Sequence, residues 1–315
     1  MSKLNSRADK CLSSLARVAK KTKGTKWDRF LARPLPYTYA QWVRWVLYPR
    51  DKKGRWATTT CIWGDQMQVL LPAGADIYIL GAKTHSSELS LSVYLCKYLR
   101  PGDYFIDAGA HFGFYSLLAA HLMEGKGKIK TIDASSQMHE VLKKNASHLP
   151  IVERIHAALC AEEQEAILFT EYPIIYSEYN TLHPEQYQSE SWNQKIKGKE
   201  LRVEAKTLDK IYYAENQDTN ASIFIKIDVE GAEFEVLKGA TTLLQDPERR
   251  SSIHLFLEYW AAERLTDQHR KALEFLQVLG YLPYLLDENG NYTLLENLNQ
   301  IQDSENILFR FQGEM

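Results

Sequence analysis

From residue 86 onward, short apolar runs alternate with longer stretches in which apolar residues recur every three or four positions. A short run bounded by polar residues is typical of a buried strand, and the longer spacing is typical of an amphipathic helix. The pattern predicts strands over 104–106, 128–132, 154–159, 222–227, 253–257, 281–286 and 306–309. It predicts helices over 88–99, 114–122, 137–148, 231–244 and 267–279.

This alternation of strands and helices predicts an α/β fold, with a mainly parallel sheet that helices cover on both faces. The last two strands follow each other without a helix, and an Asp-Glu-Asn-Gly turn at 287–290 separates them. Strands joined in this way run antiparallel. The predicted fold class is therefore α/β, with a seven-stranded, mostly parallel sheet and an antiparallel C-terminal strand pair.

The first 85 residues follow a different pattern and are predicted to form a helical and β extension before a main domain at 86–315. Residues 4–21 have the pattern of a basic amphipathic helix. Strands over 57–62 and 66–71 flank a short turn and predict a hairpin, to which 77–80 adds a third strand. Within the main domain, strands over 166–170 and 201–206 enclose an insert at about 170–200 that is rich in Tyr and Trp.

Composition and charge narrow the class of protein. The chain has 315 residues, 45% apolar and 25% charged, as in a globular protein. Residues 1–55 carry 15 Lys and Arg against 3 Asp, whereas the rest of the chain is acidic. We expect the helix at 4–21 to pack on its own domain, or else to contact an anionic membrane surface or nucleic acid. The sequence has no C-x-x-C pair, bilayer-length apolar stretch or signal core, which favours a cytoplasmic location.

A glycine loop follows the predicted strand at 104–106, with the sequence Asp107-Ala108-Gly109-Ala110-His111-Phe112-Gly113. Glycines between a strand and a helix let the backbone approach a ligand closely and direct free N–H groups at it. The G-x-x-x-G spacing matches neither the dinucleotide loop nor the nucleoside-triphosphate loop. The acid at the end of the strand suits a cationic ligand, and S-adenosylmethionine (SAM) carries both an ammonium and a sulfonium.

Acids also follow the predicted strands at 128–132, 222–227 and 253–257, namely Asp133, Asp228 and Glu258. Ligands of open α/β sheets bind at the carboxyl ends of the strands, where an acid such as Asp133 can accept hydrogen bonds from ribose hydroxyls. Lys226 alternates with Asp228 and so points to the same face, where a buried lysine requires an acidic partner. Glu230 and Glu233 fall in the first turn of the next helix, where a purely structural role is equally consistent.

The glycine loop, the stretch 142–145, Thr207-Leu208-Asp209 and above all the block from Lys226 to Ala240 resemble the FkbM family of SAM-dependent methyltransferases, over roughly residues 80–260. The resemblance implies a class I, Rossmann-like fold and O-methylation in natural-product and glycan pathways. His111 replaces the usual Asn, and Ala134 replaces the usual Pro. The implied SAM-binding residues are Asp107, Ala108, Gly109, Ala110, His111, Phe112, Gly113, Asp133, Ala134 and Ala158.

Methyl transfer to a hydroxyl benefits from a general base. We expect Asp228 to be this base, with His111 as the second candidate, Glu258 across the cleft and Glu230 near the methyl group or acceptor. Mg²⁺ held by Asp228 and Glu258 is an alternative that two carboxylates alone do not favour. The aromatic insert is interpreted either as a lid over the acceptor or as a surface excursion packed on itself.

The expected partner is a small-molecule or glycan acceptor that bears a hydroxyl. A nucleic-acid methyltransferase that uses the basic arm is the main rival. The chain lacks the [D/N]-P-P-[Y/F] loop that grips a base amino group, and its main domain is acidic, so nucleic acid is not favoured. A non-catalytic SAM-fold binding protein is the remaining alternative.

Overall fold

The computed structural model describes residues 6–215, 220–260, 265–301 and 303–312. Its α-helices are α1 Ser6–Thr22, α2 Lys26–Ala32, α3 Pro34–Trp42, α4 Tyr48–Asp51, α5 Ala75–Leu80, α6 Ser86–Tyr98, α7 Phe114–Leu122, α8 Ser136–Ala146, α9 Leu208–Tyr213, α10 Glu233–Lys238, α11 Thr241–Gln245 and α12 Asp267–Val278. A π-helical segment, Val43–Leu47, joins α3 to α4. The strands are β1 Arg55–Thr60, β2 Gln66–Leu71, β3 Tyr104–Ala108, β4 Lys128–Asp133, β5 Val152–His156, β6 Ala158–Leu159, β7 Gln164–Glu171, β8 Lys199–Lys206, β9 Ile223–Ile227, β10 Ile253–Trp260, β11 Tyr281–Leu286, β12 Tyr292–Leu294 and β13 Ser304–Phe311.

The central sheet has the strand order β12-β11-β13-β10-β9-β3-β4-β5 among the described residues. The strands from β10 to β5 pair in parallel, while β13 runs antiparallel to both of its neighbours. The predicted fold class is confirmed, and β12 extends the sheet by one edge strand after the predicted turn. The strand order reverses between β3 and β9, so their carboxyl ends border a crevice, where such sheets bind ligands.

Three predicted elements differ from the structure. The apolar run at 77–80 is part of helix α5, because so short a run does not distinguish a strand from a buried helix. The predicted strand at 154–159 divides, since β5 ends at His156 and β6 pairs with β8 in a separate sheet ordered β6-β8-β7. The predicted helix at 231–244 breaks into α10 and α11 at Gly239, where a Cβ would lie 2.2 Å from the carbonyl oxygen of Cys160.

Apolar residues cover both faces of the sheet because neighbouring residues of a strand point to opposite sides. Phe105 and Phe224 pack into the core formed with α6, α7 and α8. Ile106 and Ile225 pack into the core formed with α9 to α12. The polar ends of the same strands are therefore held at one rigid edge of the sheet.

The basic amphipathic helix predicted at 4–21 is α1, and it packs across α6. Its apolar residues Cys11 and Leu15 are buried in the same core as one face of the sheet. This core contains residues on both sides of residue 85. The domain boundary at residue 85 stays a prediction. Within the described ranges, no helix combines the length and apolar character needed to cross a membrane.

Replacing Leu15 by Ala tests whether α1 is an integral part of the domain. Leu15 is 1% exposed, so we expect the change to lower the free energy of unfolding by about 2–4 kcal/mol through lost burial and a residual cavity. Urea denaturation measures this difference. Arg17→Ala, on the exposed side of the same helix, is the control. Equal stability of the two variants would mean that α1 is a free arm.

Candidate active site at the strand ends

A cavity of about 380 Å³ opens at the carboxyl ends of β3, β4 and β9. Many of the residues predicted from the sequence line it, namely Gly109, His111, Phe112, Asp133, Ala134, Ala158, Asp228 and Glu230. The other predicted residues lie outside the lining, namely Asp107, Ala108, Ala110, Gly113 and Glu258. The predicted residues thus divide into those that line the cavity and those that lie behind the lining, which include part of the glycine loop.

The glycine loop packs against the end of β9 so closely that Gly109 cannot carry a side chain. Its φ is +77°, and a Cβ would lie 1.7 Å from the carbonyl oxygen of Asp228. The amides of Gly109 and Ala110 both donate to the carbonyl of Ile132, each at 3.0 Å. The loop therefore joins the ends of three parallel strands.

Asp133 holds the loop from the other side. Its Oδ2 accepts a hydrogen bond from the amide of His111 at 2.8 Å, and its Oδ1 accepts one from the amide of Ser135 at 2.8 Å. Burial raises the pKa of Asp133 to about 7, although both amides favour its ionised form. Each carboxyl oxygen keeps a second lone pair, so the carboxyl group can also accept a hydrogen bond from a hydroxyl of a ligand in the cavity.

Asp107 supports the loop rather than the cavity wall. Its Oδ2 accepts hydrogen bonds from the amide of Ser116 at 3.0 Å and from the Ser116 hydroxyl at 2.6 Å. Its Oδ1 is buried and has no hydrogen-bond partner among the described residues. Asp107 thus ties the end of β3 to the first turns of α7.

His111 has a left-handed backbone, with φ of +52°. Asn adopts this conformation more readily than other residues with side chains, which explains why an Asn suits the position in related loops. The Nε2 of His111 lies 2.9 Å from the Ser177 hydroxyl. Burial and the charge of Lys83 lower the pKa of His111 to about 3, so the imidazole is neutral at physiological pH and is a weak base.

Lys226 and Asp228 form the ion pair predicted from their alternation, with Nζ 2.7 Å from Oδ2. Burial opposes ionisation of Asp228, but the charges of Lys226 and Lys83 outweigh it and hold the pKa of Asp228 below its ordinary value. The Lys226 ammonium also lies 5.3 Å from the centre of the Tyr115 ring. A half-buried, ionised carboxylate therefore lies at the cavity wall.

Asp228, Glu230 and Glu258 come together although they lie on two strand ends and a loop. One carboxyl oxygen of each lies within 4.8 Å of those of the others. Like charges this close cannot all persist in a buried site. Burial and Asp228 raise the pKa of Glu258 to about 8, and the same two causes raise the pKa of Glu230 well above its ordinary value. The positive charge of Lys226, which pairs with Asp228, partly compensates the negative charge of this group.

The insert at 170–200 fixes Glu230 in place. The Tyr187 hydroxyl donates to Oε2 of Glu230 at 2.5 Å. The Thr181 hydroxyl and the Gln186 side-chain amide each donate to the Glu230 carbonyl at 2.6 Å. These contacts stabilise a backbone with φ of +54° at Glu230, a strained value for a residue with a side chain.

Glu233 has the structural role that the sequence left open for it. Its carboxylate accepts hydrogen bonds from the amides of Val229 and Gly231 at 3.1–3.3 Å. It thereby satisfies free N–H groups ahead of α10, where negative charge is favourable. The prediction that Glu230 lies in the first helical turn is wrong, because α10 begins at Glu233. Glu230 lies in the loop before α10 and faces the cavity, whereas Glu233 supports that loop.

The sequence did not reveal the charged residues that the extension, α6 and the insert contribute to the cavity, namely Arg44, Asp76, Lys83, Glu88 and Glu178. Lys83 and Glu88 form an ion pair of 2.5 Å. Burial disfavours the charge on Lys83, but Glu88 and Asp76 outweigh it and raise the pKa of Lys83. These residues belong to no recognisable motif, and only the packing of α5 and α6 beside the sheet brings them together.

The strand order, the glycine loop and the carboxyl-end cavity define a class I, Rossmann-like methyltransferase domain. The chain belongs to the FkbM family of SAM-dependent methyltransferases, since residues 107–283 match the family model described as the Methyltransferase FkbM domain. The predicted family and fold class are confirmed. No curated protein matches the sequence.

Several solved structures are similar in fold. The methyltransferase FkbM from Methylobacillus flagellatus is 11% identical, with 95% of this chain and 58% of that chain covered and a TM-score of 0.39. A SAM-dependent O-methyltransferase from Thermotoga maritima is 11% identical over 85% of this chain and 83% of that chain, with a TM-score of 0.38. A fibrillarin from Aeropyrum pernix with natively bound SAM is 10% identical over 70% and 73%, with a TM-score of 0.38.

Replacing Gly109 by Ala tests the close contact between the loop and β9. We expect it to lower stability by more than about 2 kcal/mol and to weaken binding of S-adenosylhomocysteine, because the loop must move away from Asp228. Urea denaturation and calorimetric titration measure the two effects. Gly125→Ala is a matched control, since Gly125 has φ of +73° with nothing within 4 Å of its Cβ position. Equal effects of the two substitutions would contradict the contact.

Replacing Glu258 by Gln tests the crowding of the carboxyl groups. The pKa of Glu258 is raised from 4.5 to about 8, so the folded state binds this proton more tightly than the unfolded state does. The resulting stabilisation is complete below pH 4.5 and is lost as the pH rises to about 8. We expect the free energy of unfolding to fall less over this range in Glu258→Gln than in the parent. The exposed Glu274→Gln should match the parent, and a parallel fall in all three proteins would refute the crowding.

Proposed function

We propose that the protein transfers the methyl group of SAM to a hydroxyl of a sugar, glycan or natural-product acceptor. One observation carries the proposal: Asp228 lies at the wall of the cavity, and the Nζ of Lys226, 2.7 Å from its Oδ2, keeps it ionised. An ionised carboxylate beside a bound donor can orient an acceptor hydroxyl and remove its proton.

The acidic cavity suits a cationic donor. Asp133 is available for the ribose hydroxyls, and Ala134 and Ala158 provide small, apolar contacts for the adenine. Gly109 lets the donor approach the backbone beside Asp228, and Asp107 keeps this loop in shape. When bound, SAM supplies a methyl group on an already activated sulfonium, so the protein mainly aligns the acceptor and excludes water.

Protonation assigns the role of base to Asp228. A general base must be ionised at the working pH, and the pKa of Asp228 is held below its ordinary value. The pKa of Glu258, about 8, keeps it mostly protonated at neutral pH, and the raised pKa of Glu230 favours its protonated form, so that each can donate a hydrogen bond to an acceptor oxygen or to Asp228. The Nε2 of His111 is engaged by the Ser177 hydroxyl at 2.9 Å, so we assign His111 to binding and orientation rather than to proton removal.

The insert supports a polar acceptor. Its aromatic rings stack on one another, with Trp192 lying 4.7 Å from Tyr176 and 4.8 Å from Tyr179 between ring centroids. The insert residues that line the cavity are mostly polar, and include Ser177, Glu178 and Asn180. We propose that the insert is a lid whose aromatic cluster gives it rigidity and whose polar side contacts the acceptor.

The rival acceptor class, nucleic acid, is less consistent with this cavity. The ionised carboxylate of Asp228 lines it and would repel phosphate groups. The basic arm that motivated this alternative lies in the extension. The cytoplasmic location stays a prediction.

Replacing Asp228 by Asn tests the proposal in the full chain. Radiolabelled SAM with fractionated extracts of the source organism first identifies an acceptor fraction. With that fraction, we expect Asp228→Asn to lower kcat by about 10²–10⁴-fold, because the proton acceptor is lost, while the Kd for S-adenosylhomocysteine is unchanged. Asp65→Asn, a change at a side chain that is 63% exposed, should leave both values unchanged.

Three results would change this assignment. Equal loss of turnover and ligand affinity in Asp228→Asn would move Asp228 to the donor site. Abolition of transfer by EDTA would favour the alternative in which Asp228 and Glu258 hold Mg²⁺. Ligand binding without transfer into any fraction would favour the non-catalytic alternative.

A further inference from the structure

Large apolar side chains are exposed along one part of the basic extension. Trp27 and Leu31 on α2 are each 71% exposed, Leu35 on α3 is 82% exposed, and Trp42 and Trp45 are 48% and 70% exposed. Single exposed apolar residues are ordinary, whereas a larger exposed apolar patch marks an interaction surface. We call these five residues the apolar surface of the extension.

The helices that carry this surface are firmly held by their opposite side. Ala40 and Val43 are buried in the core, and the Tyr39 ring packs against Tyr78 of α5 at 6.1 Å between centroids. Leu35 and Trp42 are seven residues apart and so lie on one side of α3. The exposed side chains are therefore presented outward by a fixed helix rather than left over from an unfilled core.

Positive charge surrounds the apolar surface. Residues 23–55 contain nine Lys and Arg and two Asp. Both Asp are engaged locally, since Asp28 accepts hydrogen bonds from Thr25 and Asp51 pairs with Arg55 at 2.5 Å. Arg44 is exposed, and its guanidinium lies 5.8 Å from the centre of the Trp45 ring. This part of the chain thus combines Trp and Leu with an excess of cationic side chains, although Lys23 pairs with Glu288 and Arg55 with Asp51.

We propose that this surface docks the protein on an anionic phospholipid bilayer. Trp residues favour the level of the lipid headgroups, Leu side chains reach the acyl boundary, and Lys and Arg attract anionic lipids. A second copy of the chain would bring one positive surface against another, which is repulsive. Nucleic acid would be attracted by the charge but offers no apolar phase for Leu31 and Leu35.

This surface differs from the contact expected for residues 4–21. The apolar residues of α1 are used inside the domain, so α2, α3 and the π-helical segment carry the exposed ones. Arg44 also lines the active-site cavity, so the cavity borders the docking surface. Membrane docking does not depend on which acceptor is methylated, and it is tested without measuring methyl transfer.

Sedimentation of the full chain with vesicles tests the inference. Vesicles of phosphatidylcholine with one fifth phosphatidylglycerol are compared with vesicles of phosphatidylcholine alone. We expect at least tenfold stronger binding to the anionic vesicles, and at least tenfold weaker binding of the triple variant Leu35→Ser, Trp42→Ser, Trp45→Ser. The control triple variant Leu168→Ser, Val278→Ser, Leu294→Ser changes side chains that are 46–85% exposed elsewhere and should bind like the parent.

Circular dichroism and urea denaturation establish that both triple variants are folded. Absence of binding to anionic vesicles, or equal binding by the parent and the Leu35, Trp42 and Trp45 variant, would overturn the inference. Binding to RNA that the same triple variant weakens, without binding to vesicles, would assign the surface to nucleic acid instead. A concentration-dependent dimer that this variant abolishes would assign it to self-association.

Discussion

The ion pair between Lys226 and Asp228 is the interaction on which the rest of the site depends. It places an ionised carboxylate in a half-buried group of acids, where desolvation alone would favour the neutral form. Once Asp228 is charged, Glu230 and Glu258 are driven to keep their protons. Burial, Lys226 and the charge of Asp228 thus separate three similar side chains into one that favours its ionised form and two that favour their protonated forms.

The family motif around this pair combines chemistry with support. Asp228 and Glu230 face the cavity, whereas Glu233 satisfies the amides ahead of α10 and Gly239 allows close packing on Cys160. Asp209, from the Thr-Leu-Asp stretch, accepts hydrogen bonds from two amides at the start of α11, each at 2.9 Å. The motif therefore contains residues of two kinds, those that line the cavity and those that support the fold. A motif match alone does not separate the two kinds.

The alternating pattern was sufficient to predict the parallel strands, their flanking helices and the acids at their ends, because burial dictates that pattern locally. It failed at 77–80 and 154–159, where the tertiary partner decides between helix and strand or between two sheets. Lys83 and Glu88 were missed for the same reason, since only the packing of the extension and α6 beside the sheet brings them to the cavity that Asp228 also lines. The hydrogen bond from Tyr187 to Glu230 likewise joins residues that are 43 positions apart in the sequence.

The most direct test of this account is a carbon-13 NMR titration of the Asp and Glu carboxyl groups in the parent and in Lys226→Met. The account predicts that Asp228 titrates below its ordinary 3.8 in the parent, that Glu258 titrates near 8, and that loss of the lysine raises the pKa of Asp228. Titration of Asp228 at the same pH in both proteins, or of Glu258 at its ordinary 4.5, would contradict it.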